Sequence, residues 1–173
     1  RPPPAHRPGI VRVDPPTRWP LADTRPRPRP PLVVLDGVQD PGNAGSIART
    51  SLALGAAGLV ALSGTADLTN PKCVRGAMGA LFRLPHLHVD DDALWPYLTA
   101  QRAELGVAAM RGDSVDAVDP KRAVALVLGN EGAGVRADLL ARADRTVTIP
   151  IAAESESLNV AVAAGILLYQ LTR

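Results

Sequence analysis

Aromatic residues are scarce: Trp19, Phe82, Trp95, Tyr97 and Tyr169 are the full complement, 3% of the chain. The core must therefore rest on Ala, Val, Leu and Ile. Cysteine is scarcer still. Cys73 stands alone, which excludes an internal disulfide framework and any zinc site built from several thiolates. An intracellular, cytoplasmic setting is the expectation that follows. No run of about 18 apolar residues marks a membrane span, and no secretory h-region is visible. The chain also lacks G-x-G-x-x-G and a glycine loop followed by Lys, the two common nucleotide-phosphate fingerprints. No metal is expected: His86 and His88 alternate onto one face of a possible strand without a third ligand, and both read as structural.

What is present describes one globular domain. The chain has 173 residues, 46% hydrophobic and 21% charged, enough to bury a core without staples. Its net charge of +2 hides an asymmetry. Residues 1–31 carry seven arginines against Asp14 and Asp23, a local charge of +5; with +2 for the whole, the remainder sums to −3. Such a basic arm is either a nucleic-acid footprint or a solvated tail of biased composition. Eleven of the 17 prolines fall in the same stretch, so residues 1–31 read as a disordered or polyproline-like arm. The folded domain is expected over 32–173.

From Leu32 the pattern alternates. Apolar runs at Leu32–Leu35, Leu59–Leu62, Gly106–Met110, Ala123–Leu128 and Thr146–Ile149 read as strands. Helices are expected from Asn43 to about Leu54 with Gly55 as its stop, and around Cys73–Leu81, Asp91–Glu104, Arg136–Ala143 and Ser157–Leu171. The last is apolar nearly all round, so it is buried against its own sheet or against a second subunit. Strands alternating with helices predict an α/β domain with a mainly parallel sheet flanked by helices.

Three loops leave strand ends, where ligands bind in open α/β sheets. The first is Asp36-Gly37-Val38-Gln39-Asp40-Pro41-Gly42-Asn43-Ala44-Gly45, leading to Ser46-Ile47-Ala48-Arg49. Its glycines let backbone approach a ligand closely. Asn43 is either a helix N-cap alone or a site residue as well, and Arg49 is either a solvated charge or a phosphate grip. The second is Leu126-Val127-Leu128-Gly129-Asn130-Glu131-Gly132-Ala133-Gly134, either an ordinary strand-to-helix turn or a cradle. Glu131 within it disfavours phosphate and favours a ligand without phosphates or one with amine or sulfonium character. The third runs from Ile149-Pro150-Ile151 to Ser157-Leu158-Asn159-Val160, where Ser155 or Ser157 can cap the last helix.

Together these blocks resemble the SpoU family of the SPOUT methyltransferases. Asp40-Pro41-Gly42-Asn43-Ala44-Gly45 with Ser46-Ile47-Ala48-Arg49-Thr50 matches the first family motif, Leu128–Gly132 the second, and Ile149-Pro150 with Ser157-Leu158-Asn159-Val160 the third. Asn70-Pro71-Lys72, Arg75, Gly79-Ala80 and Leu81-Phe82-Arg83-Leu84-Pro85 also look like the family. The resemblance covers about residues 32–172. It implies a sheet whose C-terminal segment threads a trefoil knot, and a homodimer joined through the last helix. The implied cofactor is S-adenosylmethionine, held largely by backbone groups of Leu128, Gly129, Ile149, Ile151 and Leu158.

The implied reaction is methyl transfer to a ribose 2′-hydroxyl of rRNA or tRNA. Asn43, Arg49, Glu131, Ser157 and Asn159 are the implied catalytic set; Arg49, Lys72 and Arg75 the implied RNA contacts. Guanidinium does not normally lose its proton, so Arg49 is expected to orient a phosphate and stabilise the developing alkoxide rather than act as base. Two features depart from the family: a Pro/Arg arm stands where many relatives carry a small RNA-binding domain, and Ala77 stands where Ser is common. A non-catalytic RNA-binding or assembly protein is the alternative. A small-molecule enzyme on an ordinary α/β fold is a third reading, and the missing nucleotide fingerprints count against it.

Overall fold

Leu32-Val33-Val34-Leu35 is apolar on both sides because both sides are covered. A computed structural model describes residues 31–119 and 124–173, so the expectation for the arm lies, but for Pro31, outside the described residues. In chain order the elements are β1 (Leu32–Asp36), α1 (Pro41–Ala53), β2 (Gly58–Ala61), α2 (Pro71–Ala77), a 3₁₀ turn (Ala80–Phe82) and β3 (His86–His88). There follow α3 (Asp91–Gln101), β4 (Glu104–Ser114), a second 3₁₀ turn (Val115–Ala117), β5 (Val124–Gly129), α4 (Ala137–Ala141), β6 (Arg145–Thr148) and α5 (Val160–Leu171). The strands form one sheet in the order β3-β2-β1-β5-β4-β6, with every pairing parallel.

Successive side chains of a strand face opposite ways, and the two halves of the core follow from that. Val33, Leu35, Leu126 and Leu128 face α1, α2 and α5, packing with Ile47, Ala48, Ala164 and Leu167. Leu32, Val34, Ala125 and Val127 face α3 and α4, packing with Leu94, Leu98 and Leu139. Few aromatics are needed because thin Val and Ala layers let the helices lie close. Gly45 is the extreme case: a Cβ there would lie 2.3 Å from the Cys73 carbonyl oxygen. This glycine admits α2 against α1, rather than a ligand against the backbone as its loop suggested.

The strand order reverses between β1 and β5: the chain leaves β1 toward β2, but leaves β5 across β4 to β6. Such a switch opens a crevice at the carboxyl ends of the strands.

Several boundaries differ from expectation for identifiable reasons. Asp40, not Asn43, caps α1: its side chain accepts from the Gly42 amide at 2.7 Å. Pro41 occupies the first helical position, where its missing N–H costs nothing. Asn159, rather than Ser155 or Ser157, caps α5, accepting from the Ala161 and Val162 amides at 2.9 and 3.3 Å, so that helix starts at Val160. The Cys73–Leu81 helix divides at Met78, which is left-handed (φ 48), into α2 and the first 3₁₀ turn. Strand β4 runs on to Ser114, across a register shift between Ala108 and Asp113 against β6. His86 Nδ1 lies 2.9 Å from the Leu84 carbonyl, and His88 Nε2 accepts from the Leu68 amide at 3.3 Å.

Candidate active site

Strand β5 ends in a tightly folded loop. A Cβ on Gly129 would lie 2.3 Å from the Gly134 carbonyl carbon and 2.4 Å from the Val135 nitrogen, so only glycine lets residues 130–134 fold back over the strand end. Asn130 and Gly134 exchange both backbone hydrogen bonds at 2.9 Å, with Gly134 at φ 73. The Asn130 side chain braces the loop. Its Oδ1 accepts from the Gly132 and Ala133 amides, and its Nδ2 donates to the Gly37 carbonyl, each at 2.9 Å.

Glu131 points away from the loop, toward the start of α1. Its carboxylate accepts from the Gln39 and Asp40 amides at 3.2 Å and from Asn43 Nδ2 at 3.0 Å. Burial alone would raise its pKa, but hydrogen bonds led by Asn43 outweigh it and hold the carboxyl below its ordinary 4.5. Asn43 in turn accepts from Asn159 Nδ2 at 3.1 Å, and Asn159 caps α5. One unbroken chain, Glu131–Asn43–Asn159, therefore ties the three loops together. Asn43 is free for this because Asp40 does the capping.

Beside that chain lies a cavity of about 600 Å³, within the usual range for a cofactor site, walled by Leu128, Gly129, Ile149, Ile151 and Leu158. Ser157 stands exposed at its edge with Glu131 and Asn159. Ala108, Ala109 and Met110 also line it, and sequence reasoning missed them. They belong to the irregular part of β4, where Gly112 sits so close to β6 that a Cβ would meet the Thr146 carbonyl at 2.5 Å. A bulge re-aims side chains in this way, and the lone Gly112 after an apolar run is the signal that pointed to it.

Arg49 is not brought to this network. It lies mid-helix on α1, exposed, beside a shallow apolar hollow shared with Ala53, Gly165, Ile166 and Tyr169. Six residues from Asn43 along a helix amounts to roughly 9 Å of rise. Lys72 reaches back to Asp40 at 2.6 Å. That hydrogen bond, followed by the one from the Gly42 amide, lowers the Asp40 pKa. Arg75 is exposed near the end of α2. Cys73 is buried, and burial followed by the charge of Asp67 raises its thiol to about 11; it offers no thiolate at neutral pH.

A second tie was missed. Asp36, fully buried at the end of β1, accepts from the Arg136 amide at 2.8 Å and from Arg136 Nε at 2.6 Å. Arg136 Nη1 continues to Asp91 Oδ2 at 2.5 Å, and Asp91 Oδ1 accepts from the Ser63 amide at 3.3 Å. The hydrogen bonds that Arg136 donates to Asp91 and Asp36 raise the arginine's pKa, and the arginine lowers that of Asp91. This set fastens the loop after β5 to β1, β2 and α3. A carboxylate closing an apolar strand was the available signal, since a buried charge needs a partner. Among the described residues no cluster of three potential metal ligands occurs.

The SpoU rRNA Methylase family matches residues 30–169. Among curated proteins, the 23S rRNA (guanosine(2553)-2'-O)-methyltransferase RlmP of Bacillus subtilis is 40% identical over 141 residues, 81% of this chain and 57% of that protein. The 23S rRNA (uridine(2479)-2'-O)-methyltransferase of Streptomyces viridochromogenes is 36% identical over 148 residues, 82% of this chain and 52% of that one. The chain spans little more than half the length of these relatives. Among solved structures, the SpoU methyltransferase AviRb of Streptomyces viridochromogenes in complex with AdoMet is similar with a TM-score of 0.82 at 35% identity, covering 88% of this chain and 60% of that one. The match runs from the start of β1 almost to the end of α5 and takes in all three loops of the site: the chain belongs to the SpoU rRNA methylase family.

Proposed function

We propose that this chain transfers a methyl group from S-adenosylmethionine to a ribose 2′-hydroxyl of rRNA or tRNA. The observation that carries the reading is the Glu131–Asn43–Asn159 chain, which joins three loops distant in sequence around one pocket.

The residues suit the cofactor. Leu128, Ile149, Ile151 and Leu158 offer apolar walls for a flat base, and Glu131 and Glu156 place carboxylates at a pocket that would hold a cationic ligand. Bound there, S-adenosylmethionine supplies an electrophilic methyl on a positively charged sulfur. The protein's own task is then positioning: the ribose oxygen must stand in line with the breaking bond, roughly 3–3.5 Å from the methyl carbon. Glu131 is a poor base, since three donors engage its carboxylate and its pKa is lowered. Its role is to fix the first turn of α1 against the pocket loop. Ser157 and Asn159 hold the edge where the ribose enters, and Arg49 orients RNA phosphate and stabilises the developing alkoxide.

Arg49 performs this work across a homodimer. Val162, Ile166 and Tyr169 on the outer face of α5 are 52%, 39% and 47% exposed, and Arg49 borders the hollow that Ile166 and Tyr169 share. A second protomer packed on that face brings its Arg49 toward the first protomer's pocket. The C-terminal trefoil knot belongs to the same reading: residues 149–159 share the pocket with the loop after β5 before α5 returns to α1. A cytoplasmic setting belongs to the same reading. Among the described residues no helix is long and apolar enough to cross a membrane.

Titration calorimetry with S-adenosylmethionine tests the reading. Saturable binding that the product, S-adenosylhomocysteine, competes away is expected. No heat of binding at millimolar ligand would refute it.

A further inference from the structure

The large apolar side chains exposed among the described residues fall into three groups. Met110 and Leu140 rim the pocket. Val162, Ile166 and Tyr169 lie on the face assigned above to a second subunit. Met78 and Phe82 belong to neither, and they are 73% and 51% exposed. Phe82 is the chain's one phenylalanine. A sequence this poor in aromatics places it on the surface rather than in the core.

The backbone explains how both come to face outward. Helix α2 ends in two successive left-handed residues, Met78 at φ 48 and Gly79 at φ 84, which turn the chain into the Ala80–Phe82 turn. Ala77, Ala80, Leu81 and Leu84 are drawn into the core, leaving Arg75, Met78, Phe82 and Arg83 on the outer side of one tight turn. Glycine or asparagine would sit more easily than Met78 at this left-handed position. Neither arginine makes an ion pair or side-chain hydrogen bond among the described residues. The turn is also continuous with the site: α2 starts beside the pocket end of α1, where Lys72 binds Asp40, and its seven residues rise about 10 Å from there.

We propose that residues 75–83 dock a single-stranded stretch of the RNA substrate. One nucleobase stacks on Phe82 against Met78, while Arg75 and Arg83 meet the flanking phosphates. An exposed aromatic side chain within seven residues of two exposed arginines, neither with an acidic partner among the described residues, fits a strand with unstacked bases. A duplex would present only its backbone here. This inference rests on the RNA reading above and adds to it where, and in what form, the RNA is held.

Fluorescence anisotropy with an unstructured oligoribonucleotide of roughly 12 nucleotides, repeated across salt concentrations and against the same sequence in a duplex, separates the two contacts. Phe82→Ala is expected to weaken single-strand binding about tenfold with an unchanged salt slope, because stacking releases no counterions. Phe82→Trp should bind as tightly as the parent. Arg83→Gln should reduce the slope of log K against log salt by about 0.7. Calorimetry with S-adenosylmethionine should be unchanged in all three, which also shows that each variant is folded. Parental affinity in Phe82→Ala, a preference for the duplex, or a changed oligomeric state in sedimentation would each overturn the proposal, the last assigning the turn to a second copy of the chain. Failure of the parent protein to bind S-adenosylmethionine would instead strike the functional reading itself.

Discussion

Asn43 and Arg49 lie on the same helix, six residues apart, in opposite circumstances. Asn43 is bonded on both sides, to Glu131 and to Asn159, in a network closed within one chain. Arg49 is exposed and borders an apolar hollow lined by α1 and α5 together. The first turn of α1 is complete as it stands and positions loops; the stretch around Arg49 is open. On the homodimer proposed above, a family motif that spans both stretches serves two tasks, one within the chain and one across the assembly. Substitutions can set these ends against each other.

The largest effect is expected at the open end. Arg49→Ala should lower methyl transfer to RNA by about 10²–10³-fold, the range for losing one donor at a developing oxyanion, while S-adenosylmethionine affinity stays within about twofold. Near-normal turnover would remove Arg49 from the reaction. The loop after β5 is also held to β1 by an ion pair. Asp36→Ala leaves Arg136 without its buried partner, and because Arg136 is 39% exposed the loss should be about 2–3 kcal/mol rather than the full cost of breaking a buried pair. Urea unfolding would measure it, and a change below about 0.5 kcal/mol would mean the loop does not depend on this pair. Asn159→Ala removes both a helix cap and the link to Asn43. About 1 kcal/mol of stability should go with the cap. Turnover should fall too, because the ribose-side loop loosens, whereas Asn159→Asp keeps the cap and should restore stability without restoring the donor to Asn43.

The smallest effect is on acid stability. Hydrogen bonds hold Glu131 below its ordinary 4.5, so the folded state binds that proton less readily than the unfolded chain. The resulting stability is present above about pH 4.5 and lost as pH falls through the folded-state value. Glu131→Gln should flatten the pH dependence of unfolding in that acid window by lowering stability at neutral pH toward the level the parent reaches once Glu131 is protonated. An unaltered acid limb would mean that the carboxylate is not held as described.

The strands were legible because a sheet covered on both faces demands continuous apolar runs, and Leu32–Leu35 and Leu126–Leu128 meet that demand without ambiguity. The helix starts were less so. Asp40 and Asn43 are both good caps three residues apart, and choosing between them required knowing that Pro41 fits the first helical position and that Asn43 is needed elsewhere. Likewise Ser155, Ser157 and Asn159 each offer a side-chain oxygen, and only the chain's path past the pocket selects Asn159. The resemblance named the site residues, but it left Arg49 undivided from the rest; the separation of Arg49 from Asn43 is a matter of helical rise and of which neighbour each face meets. Asp36 at the end of an apolar strand signalled a charge that needs a partner, but Arg136 and Asp91 were out of reach, because the ion pairs join residues 100 and 45 positions apart and nothing local announces the partner.

The claim that one end of α1 serves its own pocket while the other serves its neighbour's has a direct test. Arg49→Ala and the pocket variant Gly129→Val, whose side chain would meet the Gly134–Val135 backbone, are each expected to be inactive alone. Co-expressed at equal levels and assembled at random, half of the dimers are mixed, and each mixed dimer has one pocket intact and one Arg49 facing it. Methyl transfer at about a quarter of the parental rate is the expected result. Activity no greater than that of the two inactive variants assayed separately would contradict it.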